Sequence, residues 1–173
     1  MKKPHKKIYI GKYIFFLLLL LSAIGAWYWY AVAGKSDEAL IGKVVTTLAN
    51  DLSKNKQEST ATALLKVKGI AGAFADPMTL SMDQYAFGSY DHERLLASIG
   101  RYRTMVSHAE VTASDIAVEM LDKKRAKVYF SGRFAGELKN GMSDTIVKDI
   151  EAESVKIDGK WLIKSMKFRS VLH

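Results

Sequence analysis

No charged residue occurs between Lys12 and Lys35, and the run from Tyr13 to Ala33 (YIFFLLLLLSAIGAWYWYAVA) is almost wholly apolar. As a helix it would rise about 32 Å, enough to cross the hydrocarbon layer of a bilayer. Beyond it the pattern becomes amphipathic. From Ser36 to Leu52 the residues Leu40, Ile41, Val44, Val45, Leu48 and Leu52 recur at intervals of three and four, which predicts a helix with one buried face. Ser36 can cap it, and Asp37 and Glu38 suit its first turn. The polar break KNKQES separates it from a second helical stretch, about Thr60 to Phe74, which contains Gly69 and Gly72 and stops before Pro77. A third helix, about His92 to Ser107, follows the cap residue Asp91 and sets Leu95, Ile99, Tyr102 and Val106 on one stripe.

After the third helix the period falls to two. Ile116, Val118 and Met120 alternate, then Val128, Phe130 and Phe134, then Ile146, Ile150 and Ala152, then Trp161 and Ile163. Four strands are predicted, joined by LDKK, by the loop around Lys139 to Met142 and by Asp158-Gly159. Asp-Gly is a strong two-residue hairpin signal, so Ile157 should face Lys160. Extending that register gathers Ile116, Val118, Val128, Phe130, Ile146, Ile150, Ala152, Trp161 and Ile163 on one face. The other face would pair Glu119 with Lys127, Arg133 with Asp149 and Glu153 with Lys164. Helices followed by strands predict an α+β domain, three helices covering the apolar face of a curved antiparallel sheet.

Charge refines the picture at the N-terminus. Lys2, Lys3, Lys6, Lys7 and Lys12 precede the apolar run with no acid among them, leaving 21 basic and 18 acidic residues beyond residue 33. The excess positive charge therefore sits where a topology signal belongs, and the positive-inside rule places residues 1-12 in the cytoplasm and the domain 34-173 outside it. Trp27, Tyr28, Trp29 and Tyr30 fit an interfacial belt at the outer leaflet. Ala31-Val32-Ala33 also has the form of a cleavage site, so the segment is read as a retained signal anchor with a cleaved signal peptide as the alternative. Both readings export the domain, and in a bacterium the anchor would hold it on the outer face of the inner membrane. With no cysteine, disulfides and thiol catalysis are excluded. No basic stripe with interleaved aromatics points to nucleic acid.

The order of elements resembles the nuclear transport factor 2-like superfamily, which includes the SnoaL-like cyclases and ketosteroid isomerase. The residues that carry the likeness are FADPMTL at Phe74 to Leu80, the third helix, and the closing hairpin KIDGKWLIKSMKF at Lys156 to Phe168. KGIAGAFADPMTL with DGKWLI is similar to an uncharacterised bacterial branch of that superfamily. The resemblance spans about residues 36-171 and implies a cystatin-like cone, in which helices and concave sheet enclose a pocket used for catalysis in some members and for binding in many. It also implies dimerisation through the sheet face.

Candidate chemistry is sparse. An isomerase would need a carboxylate base inside the apolar pocket, yet no inward strand position holds one, and Asp115, Asp149, Glu151 and Glu153 fall on the other face. His92 and Tyr102 on the third helix, Tyr85 in the loop MDQYAFGSYD and Trp161 are the candidate pocket residues. Leu162, Met166 and Phe168 are the candidate partner surface. His5, His92, His108 and His173 show no metal-ligand spacing, and no P-loop, GxSxG or complete GxGxxG occurs, so no metal or cofactor is expected. The expectation is a membrane-anchored, non-enzymatic binding or scaffold domain for a small apolar ligand or an envelope protein. Two alternatives are an isomerase, dehydratase or cyclase with His92 and Tyr102 as acid-base pair, and an assembly subunit laid out like an inner-membrane component of type IV secretion systems.

Overall fold

The computed structural model describes Ser22, residues 36–82 and residues 86–169. Apart from Ser22, the apolar run 13-33 lies outside the described residues, as does Tyr85, and among the described residues no helix is long and apolar enough to cross a membrane.

Helix α1 runs Asp37–Leu52 and buries Ile41, Val45, Leu48 and Ala49, the face its spacing predicts. Ser36 caps it, its Oγ accepting the Ala39 N–H at 3.2 Å. Helix α2, Thr60–Gly72, is capped by Ser59 and buries Ile70 and Ala71 near its end. It stops two residues before the expected Phe74, which already begins strand β1, Phe74–Met82. β1 forms a hairpin with β2, Ala86–Tyr90, where a loop was expected. β1 also pairs in parallel with the last strand, and its register slips between Phe74 and Thr79. Pro77 lies in that gap, where it has no N–H to give to a ladder.

Helix α3, His92–Met105, starts at Asp91, whose carboxylate accepts the Arg94 N–H at 2.8 Å. It ends two residues before the expected Ser107 because Val106 turns extended and opens β3, Val106–Met120. β4 (Arg125–Leu138), β5 (Ser143–Ile157) and β6 (Lys160–Arg169) complete a six-stranded sheet of order β2-β1-β6-β5-β4-β3. The three predicted turns fall where the strands join. Asp158 and Gly159 both take positive φ, 48° and 78°, and Ile157 faces Lys160 as the Asp-Gly signal requires.

The helices pack on one face of the sheet, with Val128, Phe130, Ile150, Ala152, Trp161 and Ile163 in a single core with Ile41, Val45, Leu48, Ile70 and Ile99. Ile116 and Val118 are partly buried against it. Ile146 shares this face but stands at the rim, 46% exposed.

Two cross-strand pairs differ from the expected register. Arg133 lies opposite Val147, and Asp149 lies opposite Ser131, whose hydroxyl donates to it at 2.9 Å. Glu153 faces Ser165, because an irregularity between Glu153 and Ser154 leaves Lys164 without a register partner. Glu119 opposite Lys127 is found. The extra residue at Lys164 also shifts the inward parity of β6 from Trp161 and Ile163 to Met166 and Phe168. Met166 and Phe168 are therefore core residues, 8% and 7% exposed, rather than an exposed patch with Leu162, which is half-buried.

Candidate functional site

The sheet has two ends. At one lie the β3–β4 and β5–β6 turns; at the other lie the β4–β5 turn and the start of β3, where α3 joins. The second end is open. A groove of about 540 Å³ is lined there by Tyr102, Val106, Val111, Phe134, Leu138, Met142, Asp144 and Ile146. Deeper in, between α1 and the concave sheet face, the space among the described residues is a pocket of about 20 Å³, bounded by Leu48, Leu52, Phe130, Phe134, Ile150 and Met166. That is room for about one water molecule. Gly132 lets this closure happen, since a Cβ there would stand 2.8 Å from Ile150 Cδ1 and 3.0 Å from Phe134 Cε2.

Beneath the groove the helices are tied by buried charge. Arg103 on α3 and Glu58 in the α1–α2 connection form an ion pair with side chains only 6% and 4% exposed. Arg103 Nη1 also donates to the Asp51 carbonyl at 3.0 Å. Lys66 on α2 reaches Glu58 Oε1 at 3.0 Å and the Ser53 carbonyl at 2.9 Å. Burial pushes the Glu58 carboxyl up, but the hydrogen bonds and charges of Lys66 and Arg103 more than offset it and hold the group below its ordinary value. Lys54 Nζ donates to the Arg103 and Val106 carbonyls, both at 2.7 Å, and so closes the C-terminus of α3. Ser53 Oγ accepts the Val111 N–H at 2.9 Å, and Lys54 pairs through its backbone with Ala109, fastening the end of α1 to β3. Replacing Ser53 by alanine strands the half-buried Val111 N–H and should cost about 1–2 kcal/mol in denaturant unfolding.

Of the described candidate pocket residues His92, Tyr102 and Trp161, Tyr102 alone lies in the groove. Its hydroxyl donates to the Leu52 carbonyl at 3.3 Å, and burial pushes the phenol above its ordinary value against the opposing charge of Arg103. It stays protonated at neutral pH and holds α3 to α1 rather than offering a base. His92 is exposed at the first turn of α3, ten residues from Tyr102 and so about 15 Å away along the helix axis. The two are not an acid-base pair. Trp161 is buried, 4% exposed, at the opposite end of the sheet, with Lys156 Nζ 5.5 Å from its ring centre. Asp144 corrects the expectation that no inward strand position holds a carboxylate: it has inward parity opposite Gly136, lies exposed at the rim of the groove and accepts its neighbour Thr145 N–H at 2.7 Å. Asp149 and Glu151 lie on the outer face, Glu151 paired with Arg169. Among the described residues no group of three or more His, Asp or Glu converges on a metal-sized site.

No family model matches the chain, and no curated protein does. Solved structures do. A candidate scytalone dehydratase from Novosphingobium aromaticivorans superposes with a TM-score of 0.65 at 13% identity, covering 77% of this chain and 83% of that one. The hexachlorocyclohexane dehydrochlorinase LinA-type3 from Novosphingobium barchaimii gives 0.62 at 13%, over 78% and 86% of the two chains. A Nostoc punctiforme protein solved as a cystatin-like fold gives 0.58 at 12%, over 76% and 89%. The fold is thus the cystatin-like, nuclear transport factor 2-like cone, three helices on a curved six-stranded sheet. At these identities the likeness carries the architecture alone.

Proposed function

We propose that this chain is a non-catalytic binding domain, tethered by residues 13-33 to the outer face of a bacterial inner membrane, that takes a small apolar ligand in the groove at the open end of its cone. The observation that carries this reading is the contrast between a filled interior and an open apolar groove. An enzyme of this architecture needs space for substrate beside a held acid or base. Here the interior admits about one water, and Arg103, Glu58, Lys54 and Tyr102 beneath the groove are engaged in tying helices together. A groove with one phenol, one rim carboxylate and otherwise mostly apolar walls suits a ligand recognised by shape and burial.

A second reading, an elimination or isomerisation enzyme, draws support from the names of two structural neighbours, a candidate dehydratase and a dehydrochlorinase. It would require Asp144 to act as base from an exposed rim position.

The test is native mass spectrometry of the full chain extracted into lipid nanodiscs. A bound small molecule is expected, and Ile146→Lys should weaken its retention by at least about tenfold by placing a charge in the apolar wall. Because Ile146 is 46% exposed, that variant should unfold within about 0.5 kcal/mol of wild type. A molecule retained equally by the variant, or no bound molecule in either, would count against the groove; mass doubling instead would favour a scaffold dimer.

A further inference from the structure

The closed end of the sheet carries its own groove, of about 400 Å³, between α1, the end of α2 and the β5–β6 turn. Leu40, Val44, Trp161 and Leu162 contribute its apolar lining, and Lys43 and Lys160 stand on its rim. The β3–β4 turn lies alongside, since the Lys156 N–H donates to the Lys124 carbonyl at 2.8 Å. Apolar side chains project from both turns and from α1: Leu121 is 43% exposed, Ile157 45% and Leu40 37%. Lysines surround them at positions 43, 123, 124, 156 and 160, against four carboxylates: Asp37 and Glu38 in the first turn of α1, Asp122, already bound to Arg125 at 2.8 Å, and Asp158 in the turn. Exposed aliphatic residues set within a ring of lysines match the interfacial layer of an anionic bilayer, where the former enter the headgroup boundary and the latter meet phosphates.

Chain length says which bilayer. Three residues separate Ala33 from Asp37, so on the anchored reading the start of α1 stays within about 15 Å of the membrane surface. Leu40 and Lys43 follow within the first two turns of that helix.

We propose that the closed end of the domain, formed by the first half of α1 and the β3–β4 and β5–β6 turns, docks on the anionic phospholipid surface to which the chain is anchored, with Lys43 and Lys160 on lipid phosphates and the groove between them receiving the upper part of an acyl chain. This rests on the retained-anchor part of the proposed function and extends it. The lipid contact turns the open groove at the other end away from the membrane, toward whatever it binds.

The experiment is amide hydrogen exchange on the full chain in nanodiscs of phosphatidylcholine alone or with about a quarter phosphatidylglycerol. In the anionic discs, exchange at residues 40–44 and in both turns should slow by at least about tenfold, and about 0.5 M salt should largely reverse it. The K43E/K160E variant, altered only at exposed positions, should lose the protection while keeping wild-type exchange in β4. Lys139→Glu, in the turn at the open end, should keep it. Exchange that ignores lipid charge, or protection at residues 139–142 instead, overturns the docking while leaving the anchor standing. A chain that fails to enter the discs and washes from membranes in alkali overturns the anchor and the docking together.

Discussion

Replacing Arg103 by methionine should lower the free energy of unfolding by about 3–5 kcal/mol, as expected when one partner of a buried ion pair is removed. Glu58, with its side chain 4% exposed, would keep its charge with only Lys66 to meet it, and the Asp51 carbonyl would lose its donor. Adding Glu58→Gln to Arg103→Met should recover part of the loss, because the remaining buried group is then neutral. The pH dependence has a definite sign. Lys66 and Arg103 hold the folded Glu58 carboxyl below its ordinary 4.5, so its contribution is fully present above that value and disappears as pH falls through the lower folded pKa. Wild type should therefore lose stability on acidification below about pH 4.5 more steeply than Glu58→Gln, when urea midpoints are compared at each pH.

The second large effect concerns the filled cone. Phe130 is 8% exposed and closes the interior with Phe134, Ile150 and Met166. Phe130→Ala should cost about 3–5 kcal/mol, the transfer of the lost ring plus the cavity it leaves. If the fold persists, the vacated interior should admit an apolar probe such as xenon, detectable by chemical shifts at Leu48 and Ile150, where the wild-type interior admits none. A variant that loses little stability and binds no probe would mean that the cone relaxes around the gap.

Much of this architecture follows from short-range signals that no tertiary context overrides. Ser36 and Asp91 cap the helices they precede, and Asp158-Gly159 fixes the β5–β6 register through two positive φ angles. The β1–β2 hairpin was not legible because its inward residues do not alternate: Ala75 and Met78 are buried three apart, with Pro77 breaking the ladder between them. The irregularity at Lys164 carries no sequence mark comparable to Asp-Gly, yet it moves Met166 and Phe168 from the outer face to the core. A one-residue slip reverses every later side chain in a strand. The Arg103 hub left one trace, since Arg103 falls four residues after Ile99 on the apolar stripe of α3. An arginine in that place signals a buried partner, but Glu58 lies 45 residues away in a polar connection and only the fold brings it there. Tyr102 was found because it shares that stripe; His92 was misplaced although the sequence shows the distance, since ten residues at 1.5 Å each put it at the other end of the helix from Tyr102.

On the proposed function, ligand enters the open groove and not the cone interior. Titration of an environment-sensitive apolar dye into the full chain tests it most directly, comparing wild type with Ile146→Lys and Phe130→Ala. Saturable binding is expected in wild type, weakened at least about tenfold by Ile146→Lys and kept by Phe130→Ala. Binding that survives Ile146→Lys at wild-type strength would contradict it and return the site to the interior or to the sheet face.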